Sequence, residues 1–129
     1  LRRQRLFELA EAMGCRKIAL GHNKDDLIET LFLNICYSGE ISTMVPAQPF
    51  FGGRMTIIRP LAFTEETKIR RYVHSQGLPS YENPCPSART SKRREIKDLL
   101  EQLYLSNPMI RGNIFRSLSN VKLDYLLKK

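Results

Sequence analysis

The densest group of polar and ionisable side chains lies between a short apolar run and a segment with helical spacing. It reads Gly21-His22-Asn23-Lys24-Asp25-Asp26. In open α/β sheets, ligands bind outside the carboxyl ends of the strands, and the amino terminus of the next helix offers free N–H groups to phosphate. Adjacent carboxylates there can hold Mg²⁺ through oxygen ligands. A structural role stays open at this point, because Asn23 or Asp25 could simply cap the helix.

Two further residue types could carry chemistry. Arg59 ends an apolar run, and its planar guanidinium can reach a phosphate or a base edge, although an arginine at a strand end is more often a surface charge. Cys85 stands between two prolines that stiffen its loop, but one thiolate cannot make a zinc site, which needs about four ligands. Cys15 and Cys36 lie in apolar or helical contexts, which predict core positions.

A basic run opens one of the predicted helices. Its cations are Arg89, Lys92, Arg93, Arg94 and Lys97. Arg89, Arg93 and Lys97 are each four residues apart, so they form one stripe on a helix. Nucleic-acid phosphate is the commonest partner that compensates such a run in a soluble protein. A solvated helix face is the alternative.

Composition limits the classes of protein that these residues can belong to. The chain has 129 residues, a formal net charge of +8 and 42% apolar residues, which is typical of one folded domain. No apolar run approaches the ~20 residues of a membrane span, and no apolar segment of a signal peptide follows the basic start. The three cysteines are too few and too widely spaced for a disulfide framework, which favours a reducing, cytoplasmic compartment.

The periodicity of apolar residues predicts the elements that position these side chains. Residues 1–13 are predicted to form a helix that Gly14 ends, Lys17–Gly21 a buried strand, and Asp25–Tyr37 a second helix. Helix, short buried strand, polar turn and helix are typical of an α/β fold with a parallel sheet. Around the Gly52-Gly53 pair, Gln48–Phe51 and Arg54–Ile58 are predicted to form a hairpin.

The second half of the chain is predicted to be helical. Thr64 is a candidate N-cap for a helix over residues 65–76, and two more helices follow, one over residues 90–105 and one from Pro108 onward. Their predicted buried stripes are Ile69, Tyr72 and Val73; Ile96, Leu99, Leu100 and Leu103; and Ile110, Ile114, Leu118 and Val121. This pattern predicts a division into an α/β part over residues 1–85 and a basic helical segment over residues 86–129.

Four segments together resemble a known family. The run from Gly21 to Thr30 resembles the second motif of the PP-loop ATP-pyrophosphatase superfamily, and Ile58-Arg59-Pro60-Leu61 is similar to its Arg-Pro-Leu segment. Leu31-Phe32-Leu33-Asn34 and Gly112-Asn113-Ile114-Phe115 favour one branch, the tRNA 2-thiocytidine synthetase (TtcA) family. The resemblance extends over essentially the whole chain.

The resemblance implies a fold, an activity and a set of residues. The fold is the carboxyl-terminal part of a Rossmann-like nucleotide-binding α/β domain, followed by a helical segment. The implied activity is ATP- and Mg²⁺-dependent adenylation of a tRNA cytidine oxygen, after which sulfur displaces AMP. The implied catalytic residues are His22, Asp25 and Asp26, and the implied nucleotide- or substrate-binding residues are Gly21, Asn23 and Arg59. Arg89, Lys92, Arg93 and Lys97 are then expected to bind tRNA.

The resemblance also implies a 4Fe-4S cluster held by three cysteines. Cys85 matches the third, and a Cys-x-x-Cys pair ahead of Leu1 would supply the other two. A sulfur-donor protein and a second copy of the chain are the further partners it implies. The family's Ser-Gly-Gly-x-Asp-Ser phosphate loop has no counterpart in the sequence, so the chain alone is expected to be inactive.

Three alternatives accompany this interpretation. A tRNA uridine thiolase usually carries terminal Cys/His zinc pairs, which residues 124–129 do not contain. A lysidine synthetase would have no use for Cys85. A basic RNA-binding module without chemistry is the alternative from another class, and the carboxylates of Asp25 and Asp26 argue against it because they would repel a phosphate backbone.

Overall fold

A computed structural model describes residues 2–81 and 91–128 of the chain. The helices and strands in these ranges are α1 Arg2–Ala12, β1 Lys17–Ala19, α2 Lys24–Leu33, β2 Ala47–Phe50, β3 Met55–Ile58, α3 Glu66–Ser75, α4 Ser91–Ser106 and α5 Met109–Ser117. A π-helical turn over Asn34–Ser38 extends α2, and short 3₁₀ turns occupy Phe51–Gly53 and Leu123–Tyr125. Among the described helices, none has the length and apolar character needed to cross a membrane.

The three strands form one small sheet in the order β1-β3-β2. β1 runs parallel to β3, with Ile18 opposite Ile57, and β2 runs antiparallel to β3, with Phe50 opposite Met55. The α/β class and the predicted hairpin are therefore confirmed. The prediction that β1 is a buried strand is wrong for the described chain, since β1 is an edge strand whose Lys17 and Ala19 are exposed.

Helix α1 ends as predicted and packs on the sheet. Gly14 has a φ of +73°, the left-handed conformation that glycine provides after a helix. The Cys15 N–H then donates to the Ala10 carbonyl at 2.8 Å, which closes the end of the helix. Ala10 is buried, whereas the apolar side chains of Leu9 and Met13 remain exposed.

The hydrophobic core contains residues from both predicted parts of the chain, residues 1–85 and 86–129. Ile28 of α2 is completely buried and packs against Ile96 and Leu100 of α4. Leu103, Ile114 and Phe115 are among the partly buried residues around this core. Leu99 was expected in the same stripe but is 47% exposed. The division at residue 85 remains a prediction, and this core lies across it.

Helix α3 differs from its predicted start and packing. Its N-cap position is Glu65, not Thr64, because the Thr64 carbonyl already accepts the Lys24 N–H at 2.9 Å. Ile69 and Val73 of the predicted stripe are half-buried, but Tyr72 is 62% exposed, so the prediction is wrong for Tyr72.

The predicted stripe of α5 is correct over the helix and wrong beyond it. Ile110, Ile114 and Leu118 are half-buried. Val121 lies after the helix has ended and is 50% exposed.

Candidate functional site

The turn after β1 is fixed by a reciprocal cap at the start of α2. The Asp26 N–H donates to Asn23 Oδ1 at 3.1 Å, and the Asn23 N–H donates to Asp26 Oδ2 at 2.9 Å. This capping box satisfies two backbone donors that an uncapped helix leaves free. Asn23 thus has the capping role that the sequence left open for Asn23 or Asp25, and its partner in the cap is Asp26. The cap fixes the position of the preceding residue, His22.

His22 and Arg59 come together although 37 residues separate them in the sequence. Each follows the end of a strand, β1 for His22 and β3 for Arg59, and these two strands are parallel neighbours. Arg59 Nε donates to His22 Nδ1 at 3.2 Å. The carboxyl ends of neighbouring parallel strands meet at one edge of a sheet, which brings the two side chains within reach of each other.

Arg59 is a buried residue. It is 2% exposed, so the alternative of a surface charge is wrong. Arg59 Nη1 donates to the Val45 carbonyl at 2.7 Å and to Gln48 Oε1 at 3.4 Å. Burial lowers the pKa of the guanidinium, and the nearby charge of Arg3 lowers it further. Its partners among the described residues are neutral acceptors.

The surroundings of His22 favour its neutral form. Burial lowers the pKa of the imidazole below its ordinary value of 6.5, the charge of Asp26 opposes this shift, and the charge of Arg59 adds to it. Because Nδ1 accepts the hydrogen bond from Arg59, the neutral ring carries its proton on Nε2. His22 is thereby oriented as a hydrogen-bond donor through Nε2.

His22 lines a cavity of about 400 Å³ beside the end of β1. The other lining residues are Arg3, Leu6, Ile18, Leu20, Gly21 and Ile57. The walls are mostly aliphatic, and the polar atoms come from His22, Arg3 and the exposed Gly21 backbone. A cavity with apolar walls and a few convergent polar groups is the usual form of a small-ligand site.

Asp25 faces away from this cavity. Its Oδ2 accepts the Glu66 N–H at the start of α3 at 3.2 Å, and its Oδ1 lies 3.3 Å from Arg111 Nε. Those last two atoms lack hydrogen-bond geometry, so the contact is electrostatic. Burial raises the pKa of Asp25, and the charge of Arg111 opposes that rise. Asp25 lines a separate cavity of about 280 Å³ that contains no residue of the His22 cavity.

A set of ion pairs surrounds Asp25 between α2, α3, α4 and α5. Glu29 accepts from Arg93 at 3.0 Å, Arg111 lies 3.1 Å from Glu65, and Glu66 lies 2.9 Å from Arg70 and 3.8 Å from Lys97. Burial raises the pKa of Glu29, and its hydrogen bond from Arg93 opposes this. We call this set the paired-charge cluster. Its members are Asp25, Glu29, Glu65, Glu66, Arg70, Arg93, Lys97 and Arg111.

The cluster changes the interpretation of the basic run. Arg93 and Lys97 of the predicted stripe contact Glu29 and Glu66, so internal carboxylates compensate their charges. Lys92 is exposed, with Nζ 4.7 Å from the centre of the Tyr37 ring. Arg89 lies outside the described residues. Binding of tRNA by these four cations remains a prediction.

The cysteines are not placed as the sequence suggested. Cys15 and Cys36 are exposed, so their predicted core positions are wrong. Cys15 directly follows the glycine that ends α1, and Cys36 lies in the π-helical turn. Cys85 lies outside the described residues. In the part of the chain that the structure describes, no three potential metal-binding side chains cluster.

Sequence reasoning missed Glu29 and Arg111. Glu29 follows Asp25 by four residues, so helical spacing could have placed both carboxylates on one face of α2. No local signal identifies Arg111 as the partner of Asp25. Arg111 also lies over Tyr104, with the guanidinium carbon 4.3 Å from the ring centre, and burial raises the pKa of Tyr104 to about 12.

Comparison with known proteins identifies relatives by sequence. No family model matches the chain. The tRNA-cytidine(32) 2-sulfurtransferase of Pelobacter propionicus is 40% identical over 98% of the chain, which spans 48% of that relative. The enzyme of the same name from Geobacter sulfurreducens is 39% identical over 98% of the chain and 50% of its own length. The one from Alkalilimnicola ehrlichii is 41% identical over the whole chain and 41% of its own length.

Comparison of folds gives a consistent result. The U34-tRNA thiolase NcsA from Methanococcus maripaludis, solved with its 4Fe-4S cluster, matches 98% of the chain and 42% of its own chain with a TM-score of 0.73. At 23% sequence identity, this match supports the fold alone. The predicted resemblance is confirmed: the chain is a homologue of the tRNA-cytidine(32) 2-sulfurtransferases and spans about half the length of those curated relatives.

Proposed function

We propose that the full-length protein carrying this chain thiolates a tRNA cytidine. ATP transfers AMP to the C2 oxygen and releases pyrophosphate. Sulfur at the sulfide level then attacks C2, and AMP leaves with the oxygen as the C2–S bond forms. The observation that carries the proposal is identity of about 40% to tRNA-cytidine(32) 2-sulfurtransferases over 98% of the chain. The chemistry needs the first step because a carbonyl oxygen is a poor leaving group and AMP is a good one. Because the chain spans half of those relatives, the activity belongs to the whole protein.

The His22–Arg59 pair is the proposed centre of the reaction within this chain. Arg59 holds the neutral imidazole so that Nε2–H can donate to an oxygen on which negative charge develops. A donor that is already fixed in position stabilises such charge without the reorganisation that water needs. Gly21 and Asn23 shape the same turn, and Asp26 raises the proton affinity of His22. Supporting observations are the 3.2 Å contact and the adjoining cavity.

The chain's described residues do not by themselves fit a magnesium site. Asp25 is engaged by Glu66 and Arg111, and one oxygen of Asp26 is engaged by Asn23. No group of three carboxylate, histidine or cysteine ligands converges in the described ranges. A requirement for Mg²⁺ therefore rests on the resemblance alone.

Nucleoside analysis of tRNA tests the function. The full-length protein is incubated with ATP, a sulfur donor and unmodified tRNA, and 2-thiocytidine is measured by mass spectrometry. Wild type should form 2-thiocytidine, and His22→Gln should lower the rate about 100-fold, the usual effect of losing one positioned donor. His74→Gln is the matched control, since His74 is exposed on α3. Failure of the wild type to form 2-thiocytidine, or equal rates for the two variants, would contradict the proposal.

Cys85 is the proposed ligand of an iron–sulfur cluster. The resemblance supports this, and the fold neighbour NcsA carries a 4Fe-4S cluster. After anaerobic reconstitution, the visible absorbance of the cluster should disappear in Cys85→Ala and persist in Cys36→Ala, because Cys36 is exposed and has no matching ligand position. An unchanged spectrum for Cys85→Ala would refute the assignment of Cys85 as a ligand.

A sulfur-donor protein, a homodimer and a cytoplasmic location are the remaining parts of the proposal.

A basic RNA-binding module without chemistry is the second candidate. This candidate would be supported if the protein bound tRNA and formed no 2-thiocytidine. The proposed tRNA contacts are Arg89, Lys92, Arg93 and Lys97, of which the last three lie on α4. Neutralising Arg89, Arg93 and Lys97 together should weaken tRNA binding and reduce its salt dependence if the stripe contacts phosphates.

A further inference from the structure

Three phenylalanines form an aromatic cluster at the tip of the β2–β3 hairpin. The ring of Phe7 on α1 lies 5.3 Å from that of Phe50 and 5.1 Å from that of Phe51, centre to centre. Phe50 and Phe51 are 6.3 Å apart. Phe51 is 55% exposed, so the outer ring of the cluster faces solvent.

The backbone holds Phe51 in an unfavourable conformation. Its φ is +54°, and the next two residues, Gly52 and Gly53, have φ values of +65° and +90°. The left-handed region favours glycine, and a bulky aromatic residue there is a genuine outlier. Phe51 is the one non-glycine residue with positive φ in the described ranges. Such strained positions occur disproportionately at functional sites.

Arginines surround these rings. The guanidinium carbons of Arg3 and Arg54 each lie 5.8 Å from a ring centre, over Phe50 and Phe51 respectively. Arg16 lines a cavity of about 210 Å³ between Phe7 and Phe51, whose acidic wall residue is Glu11. Within the described chain, Arg3, Arg16 and Arg54 form no ion pair with a carboxylate, unlike Arg93 and Lys97. We call Phe7, Phe50, Phe51, Arg3, Arg16 and Arg54 the hairpin patch.

We propose that the hairpin patch binds single-stranded RNA, with a base stacked on Phe51 and phosphates held by Arg3 and Arg54. Exposed aromatic rings beside unpaired cations are the combination that single-stranded nucleic acid requires. The net charge of +8 draws the RNA towards the chain. The inference rests on the proposed function, in which that RNA is the tRNA substrate.

The hairpin patch lies apart from the proposed reaction centre, and Arg3 contacts both. The hairpin tip lies at the amino end of β3 and His22 beyond the carboxyl end of β1, so the four residues of β3, about 13 Å, separate them. Arg3 contacts the patch through Phe50 and also lines the cavity of His22. RNA bound to the patch can therefore follow α1 to the reaction centre.

Phe51→Gly tests the proposal without the usual risk of unfolding. Glycine accepts the positive φ freely, so the variant removes the ring and the strain together. Binding of the full-length protein to an unmodified tRNA and to an oligouridine of about 12 nucleotides should weaken about tenfold. Phe63→Ala is the matched control, since Phe63 is 68% exposed in another part of the fold, and it should bind RNA like wild type.

Arg54→Gln supplies the second test. It should reduce the slope of log affinity against log salt by about 0.7, the value for one contact to single-stranded nucleic acid. Arg70→Gln removes the same formal charge from a residue paired with Glu66 and should leave the slope unchanged. Photocross-linking of bromouridine RNA should label the peptide that contains Phe50 and Phe51.

The outcomes separate this inference from the proposed function. Unchanged RNA binding in Phe51→Gly and Arg54→Gln, in an enzyme that still thiolates tRNA, overturns the hairpin patch alone. Weakened binding in both variants of a protein that forms no 2-thiocytidine supports the patch and refutes the function. A marked fall in melting temperature of Phe51→Gly with unchanged RNA affinity shows that the patch is covered by protein, and this also overturns the proposal.

Discussion

The paired-charge cluster and the hairpin patch both contain arginines, but the arginines have different partners in the two regions. In the paired-charge cluster, Arg93 and Arg111 lie within 3.3 Å of Glu29 and Asp25, whose carboxylates are almost completely buried. In the hairpin patch, Arg3 and Arg54 lie over aromatic rings and form no ion pair within the described ranges. The first arrangement stabilises the fold. The second leaves positive charge for an anion from outside.

This difference shows why a count of cations does not locate a nucleic-acid surface. The basic run over residues 89–97 has the densest positive charge in the sequence, yet the tertiary fold supplies carboxylates to two of its members. The cations at the hairpin are spread over three separate segments and form no run. Which cations are free depends on the contacts between helices, and mutations can test each side of the contrast.

The largest effect is expected from Arg111→Met. Asp25 would remain buried without its cation, so the free energy of unfolding should fall by about 3 kcal/mol, and the pKa of Asp25 should rise further. Urea unfolding of the full-length protein measures the first effect. Arg116→Met is the matched control on the same helix, because Arg116 is exposed and bonds only to Asn113 among the described contacts. Equal losses of unfolding free energy in the two variants would contradict a stabilising role of the paired-charge cluster.

A double comparison sharpens the contrast at intermediate magnitude. Arg93→Met should lower the free energy of unfolding by about 1.5 kcal/mol, because it removes a hydrogen bond to a charged group and leaves Glu29 buried. Because Glu29 already compensates the charge of Arg93, this variant should reduce the salt dependence of RNA binding less than Arg54→Gln does. Arg54→Gln should change the free energy of unfolding little and reduce the salt slope more. Equal reductions of the slope in the two variants would show that pairing with Glu29 does not limit the contribution of Arg93 to RNA binding.

The smallest effect concerns His22, which belongs to neither region. Its pKa in the folded protein is below 6.5, so its contribution to stability is complete above pH 6.5 and is lost as the pH falls through the folded pKa. Protonation of Nδ1 would also remove the acceptor that Arg59 uses. Melting temperatures between pH 5 and pH 8 should therefore fall more for wild type than for His22→Gln on acidification. Parallel curves would show that His22 is not shifted.

The sequence predicted most elements because their signals are local. Helices α1 and α4 follow apolar spacing, and the hairpin follows the glycine pair that its turn requires. The family motif likewise indicated His22 and Arg59, which the fold brings together. Spacing did not predict that Leu99 and Tyr72 remain exposed, because burial depends on which element packs opposite. The N-cap of α3 was misplaced because the Thr64 carbonyl bonds to the start of a different helix.

The sequence predicted the residues of the candidate site but not how their side chains are arranged. His22, Asp25 and Asp26 are consecutive or nearly so, and a motif presents them as one group. On a helix, neighbouring residues point about 100° apart, so Asp25 turns towards α3 and α5 while Asp26 stays beside Asn23 and His22. Nothing in the sequence around Asp25 identifies Arg111, 86 positions later, as its partner.

The buried side chain of Arg59 has a mechanical consequence. It joins two stretches of chain through three hydrogen bonds: the turn at His22, and the segment at the start of β2 that supplies the Val45 carbonyl and the Gln48 side-chain amide. A displacement of residues 45–48 would therefore disturb the hydrogen bonds of Arg59, and through them the position of His22. A molecule bound at residues 45–48 would act on the proposed reaction centre without touching His22.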